Sequence, residues 1–191
     1  MQRIVRLLFM IITSLLLVSV IWLIFFRATP TDTEVVTTKQ VVDYADAANS
    51  EVRLTIEGNI VAQEEFRSIR ITVSDNQRTF EILQGYEGSA EERKTFNNNP
   101  NAYRTFLTGL QNTAFMATQD PDPTILSDAA CPQGRRFRYE IIEAGEVVHS
   151  SWSTSCSRRH GNFAGDQGSV IRLFQLQIPE YNDLSRGLGL N

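Results

Sequence analysis

Residues 69–82 read Ile69-Arg70-Ile71-Thr72-Val73-Ser74-Asp75-Asn76-Gln77-Arg78-Thr79-Phe80-Glu81-Ile82, two alternating runs on either side of a turn. Pairing across Asp75-Asn76 sets Ile71 opposite Phe80 and Ile69 opposite Ile82. The same register sets Arg70 opposite Glu81 and Thr72 opposite Thr79 on the other face. One pairing thus yields an apolar face and a charge-matched face, as an antiparallel sheet with one wet side requires.

Working outward, Val52, Leu54 and Ile56 alternate with Arg53, Thr55 and Glu57, which predicts a strand before this pair. Gly58-Asn59 is expected to be a two-residue hairpin turn after it, so the first half of the domain reads as a three-stranded meander. Past the cluster at 97–100, Asn99 can cap a helix and Pro100 can take its first position. Tyr103, Phe106, Leu107, Leu110 and Ala114 then share one stripe, expected to be core. Residues 119–134, with Pro121, Pro123 and Pro132, read as an irregular connection.

A second hairpin is expected to turn at Ala144-Gly145. Its register sets Phe137, Tyr139 and Ile141 opposite Trp152, Ser150 and Val148 on the core face, with Arg136, Arg138, Glu140 and Ile142 opposite Ser153, Ser151, His149 and Val147 on the wet one. A last helix is expected from about Gly168 to Ile178, stopped by Pro179 and followed by a polar tail. The fold class is α+β: an N-terminal transmembrane helix, an antiparallel meander, a helix, a disulfide-closed hairpin and a C-terminal helix, with helices over one sheet face.

The transmembrane expectation rests on Leu7 to Phe26, 20 consecutive uncharged residues with only Thr13, Ser14 and Ser19 polar. A helix of that length spans roughly 30 Å, the thickness of a hydrocarbon core. Arg3 and Arg6 on the short N-terminal side outweigh Arg27 on the other, which predicts a cytoplasmic N-terminus and an extracytoplasmic remainder. The run exceeds the roughly 7–15 residues of a signal-peptide core and ends Phe25-Phe26-Arg27-Ala28, so an uncleaved single-pass anchor in the cell membrane is favoured over a cleaved leader. The expected organisation is tail and anchor over 1–27, a Thr/Asp/Ala-rich tether over 28–50 and the folded domain over 51–191. Val41, Val42 and Tyr44 are candidates to pack onto that domain.

Beyond Arg27 the chain holds 15 of the 18 basic residues and all 22 acidic ones, a net charge of −7. That balance argues against a general nucleic-acid binder. The two histidines and two cysteines make no zinc-ligand spacing, so neither metal nor cofactor is implied. No phosphate-binding loop, dinucleotide fingerprint or nucleophile elbow is present.

Cys131 and Cys156 both lie in the exported half, and the hairpin register brings them within reach of each other, so a disulfide is expected. Arg135, Arg136, Arg138, Arg158 and Arg159 are expected to form a basic corner on an acidic domain, suited to an anionic envelope polymer or an acidic protein partner. His149 is expected to face Glu140 as a surface pair.

The segment Ser153-Thr154-Ser155-Cys156-Ser157-Arg158 resembles the nucleophile motif of L,D-transpeptidases, which act on peptidoglycan. That resemblance implies Cys156 as nucleophile, with His149 and Arg158 as its partners. The family's glycine before the cysteine is Ser155 here, and His149 is followed by Ser150 where the family has glycine. Over most of the outer part, the Ile69–Val73 strand, Trp152 to Cys156, Gly161-Asn162-Phe163 and Leu173-Phe174 to Ile178-Pro179 are similar to a family of bacterial single-pass membrane-anchored proteins with an extracytoplasmic α+β domain. This likeness implies an envelope setting and brings no activity. The leading expectation is a tethered, non-catalytic binding module, with a cysteine-dependent wall enzyme or an inhibitor of an extracellular hydrolase as alternatives.

Overall fold

The computed structural model describes residues 2, 6, 13–19, 39–157 and 159–190. The chain divides into two units, Met1–Thr38 and Lys39–Asn191. In the first, residues 13–19 are helical and exposed, while the rest of the Leu7–Phe26 run lies outside the described residues. Among the described residues no helix is long and apolar enough to cross a membrane.

The second unit is an antiparallel sheet of six strands, in the order β4-β3-β2-β1-β5-β6. The strands are β1 (Ser50–Glu57), β2 (Arg67–Ser74), β3 (Gln77–Gln84), β4 (Ser89–Asn97), β5 (Arg136–Glu143) and β6 (Glu146–Thr154). The β2–β3 register is the one the sequence predicts, Ile71 with Phe80, Ile69 with Ile82 and Arg70 with Glu81. The Gly58-Asn59 turn is not formed. β1 and β2 are joined instead by the longer segment 58–66, in which the Gly58 N–H donates to Arg67 O at 3.2 Å. β4 is a fourth strand of the meander that alternation could not reveal. It is an edge whose side chains are nearly all exposed, and Glu91, Glu92, Arg93 and Lys94 guard it against pairing with another chain.

Helix α1 (Pro100–Asn112) starts as expected: Asn99 caps it by accepting from the Ala102 N–H at 3.0 Å, and Pro100 opens the first turn. Its buried stripe is Tyr103, Phe106, Leu107 and Leu110. The helix stops before Ala114, which is exposed with φ 57°, and the core position passes to Phe115. Helix α2 (Gln167–Gln175) is capped by Asp166 and buries Val170 and Phe174. The expected polar tail instead contains a short helix, α3 (Tyr181–Leu184), and Ile178, Tyr181 and Leu190 are buried.

One continuous core joins Val52, Leu54, Ile56, Ile69, Ile71, Phe80 and Tyr139 on the sheet to the buried stripes of α1 and α2. The helices thus cover one face only. The folded unit begins at Lys39 rather than Glu51. Val41 and Tyr44, in a short 3-10 turn, are buried against it; Gln111 accepts from the Val42 N–H, and Lys39 pairs with Glu143 at 2.8 Å.

The second hairpin departs from its expected register. Ala144 and Gly145 do form the turn, with φ 53° and 89°, and Glu143–Glu146 and Ile142–Val147 pair as predicted. Beyond them a bulge leaves Val148 without a partner, and Ile141 pairs with His149, Tyr139 with Ser151 and Phe137 with Ser153. A one-residue slip moves every later side chain to the opposite face. Ser151 and Ser153 are therefore buried on the helix side, and Trp152 stands on the open side.

Candidate functional site

The uncovered face of the sheet carries the groups with binding chemistry. Cross-strand register lines up Arg93, Glu81, Arg70, Thr55, Arg138 and Trp152 from β4 to β6 in one row. A neighbouring row holds Thr95, Thr79, Thr72, Arg53, Glu140 and Ser150. These residues alternate with the core set, so the strand period alone delivers them to one surface. Thr55 (7% exposed) and Glu81 (6%) are buried although no helix covers them. Each is flanked across the strands by two arginines, Thr55 by Arg70 and Arg138 and Glu81 by Arg70 and Arg93, whose long stems can cover neighbouring surface.

Most charges on this face are matched. Arg53 donates to Glu51 at 2.9 Å and lies 3.7 Å from Glu140. Arg136, nearly buried, bonds Glu57 at 3.0 Å, and Arg138 approaches the other oxygen of Glu57 at 3.7 Å. Arg93 gives Glu81 two hydrogen bonds of 2.9 and 2.6 Å. Arg70 is the exception: among the described residues its guanidinium has no acceptor, and its Nε is buried. A buried N–H left so costs about 1–3 kcal/mol relative to a bonded one, which an incoming acceptor would recover.

Arg70 opens into a cavity of about 200 Å³ whose walls include Arg53, Thr55, Ser68, Tyr86, Glu87, Arg138 and Glu140. A second cavity, about 290 Å³, shares Glu57 and Arg138 with it and continues to Trp152 and Ser150. Tyr86 is half exposed yet fixed. Its ring stacks on buried Phe66 at 4.1 Å, and its hydroxyl donates to Val61 O at 2.7 Å. Gly88 sits beside Arg70, and its φ of 71° suits glycine; a Cβ there would make an ordinary contact with Arg70 Nη2 at 3.8 Å.

The expected arginine corner is divided by the sheet. Arg136 and Arg138 lie on the open face and share Glu57. Arg135 precedes β5 on the helix side, where its charge is felt at Tyr181 and its guanidinium lies 5.9 Å from the Phe137 ring. Arg159 is exposed in the loop after β6, and Arg158 lies outside the described residues.

Cys131 and Cys156 form the expected disulfide, Cα atoms 5.7 Å apart, and no free cysteine remains. In this oxidised form Cys156 has no thiolate to act as a nucleophile. His149 faces Ile141, not Glu140, and packs 6.4 Å from Phe115, where burial lowers its pKa. Five strand positions, roughly 17 Å, separate it from Thr154 at the end of β6, so it is not within hydrogen-bond reach of Cys156. Among the described residues no group of three His, Cys, Asp or Glu is placed to hold a metal ion.

The groove around Arg70 is absent from the sequence reading as a site, although the Arg70–Glu81 pairing is in it. The missing signal is β4, whose Arg93 takes Glu81 away. Comparison with family models finds no match, and no curated protein matches the sequence.

Proposed function

We propose that this chain is a membrane-tethered, non-catalytic binding module of the cell envelope. The Leu7–Phe26 run anchors it, the N-terminus stays in the cytoplasm, and the α+β domain works outside, taking an anionic partner on its open sheet face. The observation that carries this reading is the unpaired Arg70 guanidinium in a groove that no helix covers. The Cys131–Cys156 bridge is consistent with an oxidising compartment, and a bridged Cys156 weighs against the cysteine-enzyme alternative. Within the expected basic corner, Arg136 and Arg138 belong to this face and Arg135 does not.

Two measurements on the full-length chain test the reading. Protease added to spheroplasts should digest the domain, and a protected domain would overturn the topology. Proteoliposomes carrying the chain should retain acidic envelope polymer in a salt-dependent way. Retention should fall at least tenfold with Arg53, Arg70 and Arg138 all changed to Gln, and unchanged retention would remove the open face from the account.

A further inference from the structure

The geometry points to the ligand class: Arg70 receives the carboxylate of a small ligand, an acidic sugar or a peptide terminus, whose body lies against Tyr86. This rests on the reading of the open face as a binding surface and narrows it to one group.

Four observations lead there. Arg53, Arg93 and Arg136 each bond a carboxylate and Arg138 lies 3.7 Å from Glu57, so among the described residues Arg70 is the guanidinium of this face with neither a hydrogen bond nor a carboxylate partner. A guanidinium matches a carboxylate in a planar, bidentate pair. In the same groove Glu57 and Glu140 are already paired with arginines, which leaves one unpaired cation, Arg70, beside one unpaired carboxylate, Glu87. The second charge of a dianion such as phosphate would find no cation there, whereas a carboxylate carries only the one that Arg70 can match. Tyr86, held by Phe66 and Val61, offers an ordered aromatic surface beside the cation at little entropy cost on binding. A pyranose C–H face or a peptide unit packs on such a ring, and Thr55 and Ser68 belong to the same groove lining.

Glu87 is the group on the chain best placed to compete. It is exposed, lines the groove and has no ion-pair partner among the described residues. Its charge disfavours the incoming carboxylate, so removing it should tighten binding.

The experiment uses the full-length chain in neutral detergent, titrated calorimetrically with glucuronate, N-acetyl-Ala-Ala, their uncharged counterparts glucose and N-acetyl-Ala-Ala-amide, and inorganic phosphate. At least one carboxylate should bind with millimolar or better affinity, at least tenfold more tightly than its uncharged counterpart. Which of the two does so identifies the source. Arg70→Gln should weaken that binding tenfold or more, Arg70→Lys less so, and Glu87→Gln should strengthen it two- to threefold. Arg159→Gln, outside the groove, should change nothing. Should Arg70→Gln fold poorly, the Arg70→Lys variant and the charged–uncharged comparison still decide. The proposal is overturned if neither carboxylate binds, if the uncharged counterparts bind equally, if the Arg70 variants bind as the parent does, or if phosphate binds more tightly than both. If these titrations fail while polymer retention still depends on the arginines of the open face, the Arg70 assignment falls and the proposed function stands.

Discussion

Arg70 and Glu81 are direct cross-strand partners on β2 and β3, yet Glu81 accepts both of its hydrogen bonds from Arg93 on β4, at 2.9 and 2.6 Å. The edge strand therefore withholds a carboxylate that the central strands would otherwise share. A cation in the middle of the sheet is left available as a result.

Arg93→Gln should accordingly release Glu81 to its cross-strand neighbour and fill the groove from within. Glu81 is buried, so losing Arg93 would be costly if the carboxylate stayed unpaired; with Arg70 taking over the pair, the stability cost should stay below about 1 kcal/mol. Affinity for a carboxylate probe should nevertheless fall severalfold, although Arg93 lies outside the groove lining. A urea titration and a binding titration on the same variant check both halves, and a variant that keeps full affinity contradicts the competition.

Reduction of Cys131–Cys156 opens a loop with a sequence separation of 25, worth about 3.5 kcal/mol in the chain-entropy model. Cys131→Ser/Cys156→Ser should lower the urea midpoint by a corresponding amount. The parent with and without dithiothreitol should differ equally. A midpoint indifferent to reductant would mean that hydrogen bonds such as Ser155 N–H to Arg135 O hold this end without the bridge.

Tyr139 and Ser153 are both buried and share a 2.9 Å hydrogen bond in the core between β5 and β6. Tyr139→Phe alone leaves the serine hydroxyl unpaired and should cost about 1–2 kcal/mol. Adding Ser153→Ala should recover part of that loss, giving a coupling of about 0.5–1 kcal/mol. Additive single effects would show that the bond contributes nothing net.

Burial beside Phe115 lowers the His149 pKa, and among the described residues its Nε2 has no partner. Above the unfolded value of about 6.5 the imidazole is neutral in both states and adds no pH dependence to stability. As pH falls below that value the unfolded chain takes up the proton first, so stability declines until the folded pKa is passed. The urea midpoint should therefore drop between pH 7.5 and 5.5 more for the parent than for His149→Gln. Equal slopes would show that His149 titrates alike in both states.

What the sequence discloses and what it hides divide along physical lines. The β2–β3 register is legible because Ile69, Ile71, Phe80 and Ile82 fall on one face while Arg70 and Glu81 match on the other, so a single pairing satisfies both. The start of α1 is legible because Asn99 and Pro100 act locally. β4 is not: an exposed edge strand has no buried side to impose alternation, and Ser89–Asn97 is nearly all polar. The Arg70 site depends on β4 and shares its invisibility. The likeness of Cys156 to a nucleophile is local in sequence, whereas its bridge to Cys131 is a tertiary fact.

The hairpin register fails for a different reason, and that reason makes a prediction. Counting from the Ala144-Gly145 turn is correct through Ile142–Val147, and then one unpaired residue, Val148, exchanges the faces of everything that follows. Deleting Val148 should therefore join two ladders that already agree: Ile142–Val147 and Ile141–His149 both survive, and Trp152 stays on the open face. Deleting Ser150 instead leaves the bulge and slips only the residues between it and the far end, driving Trp152 toward ladder positions held by buried serines or breaking the Trp152 N–H bond to Asn162. The first deletion should cost about 1 kcal/mol or less and the second about 3 kcal/mol or more, read as urea midpoints. Trp152 emission in a Trp22→Phe background reports the face directly: it should match the parent after loss of Val148 and shift after loss of Ser150. Equal costs for the two deletions would mean that Val148 is held by more than the bulge.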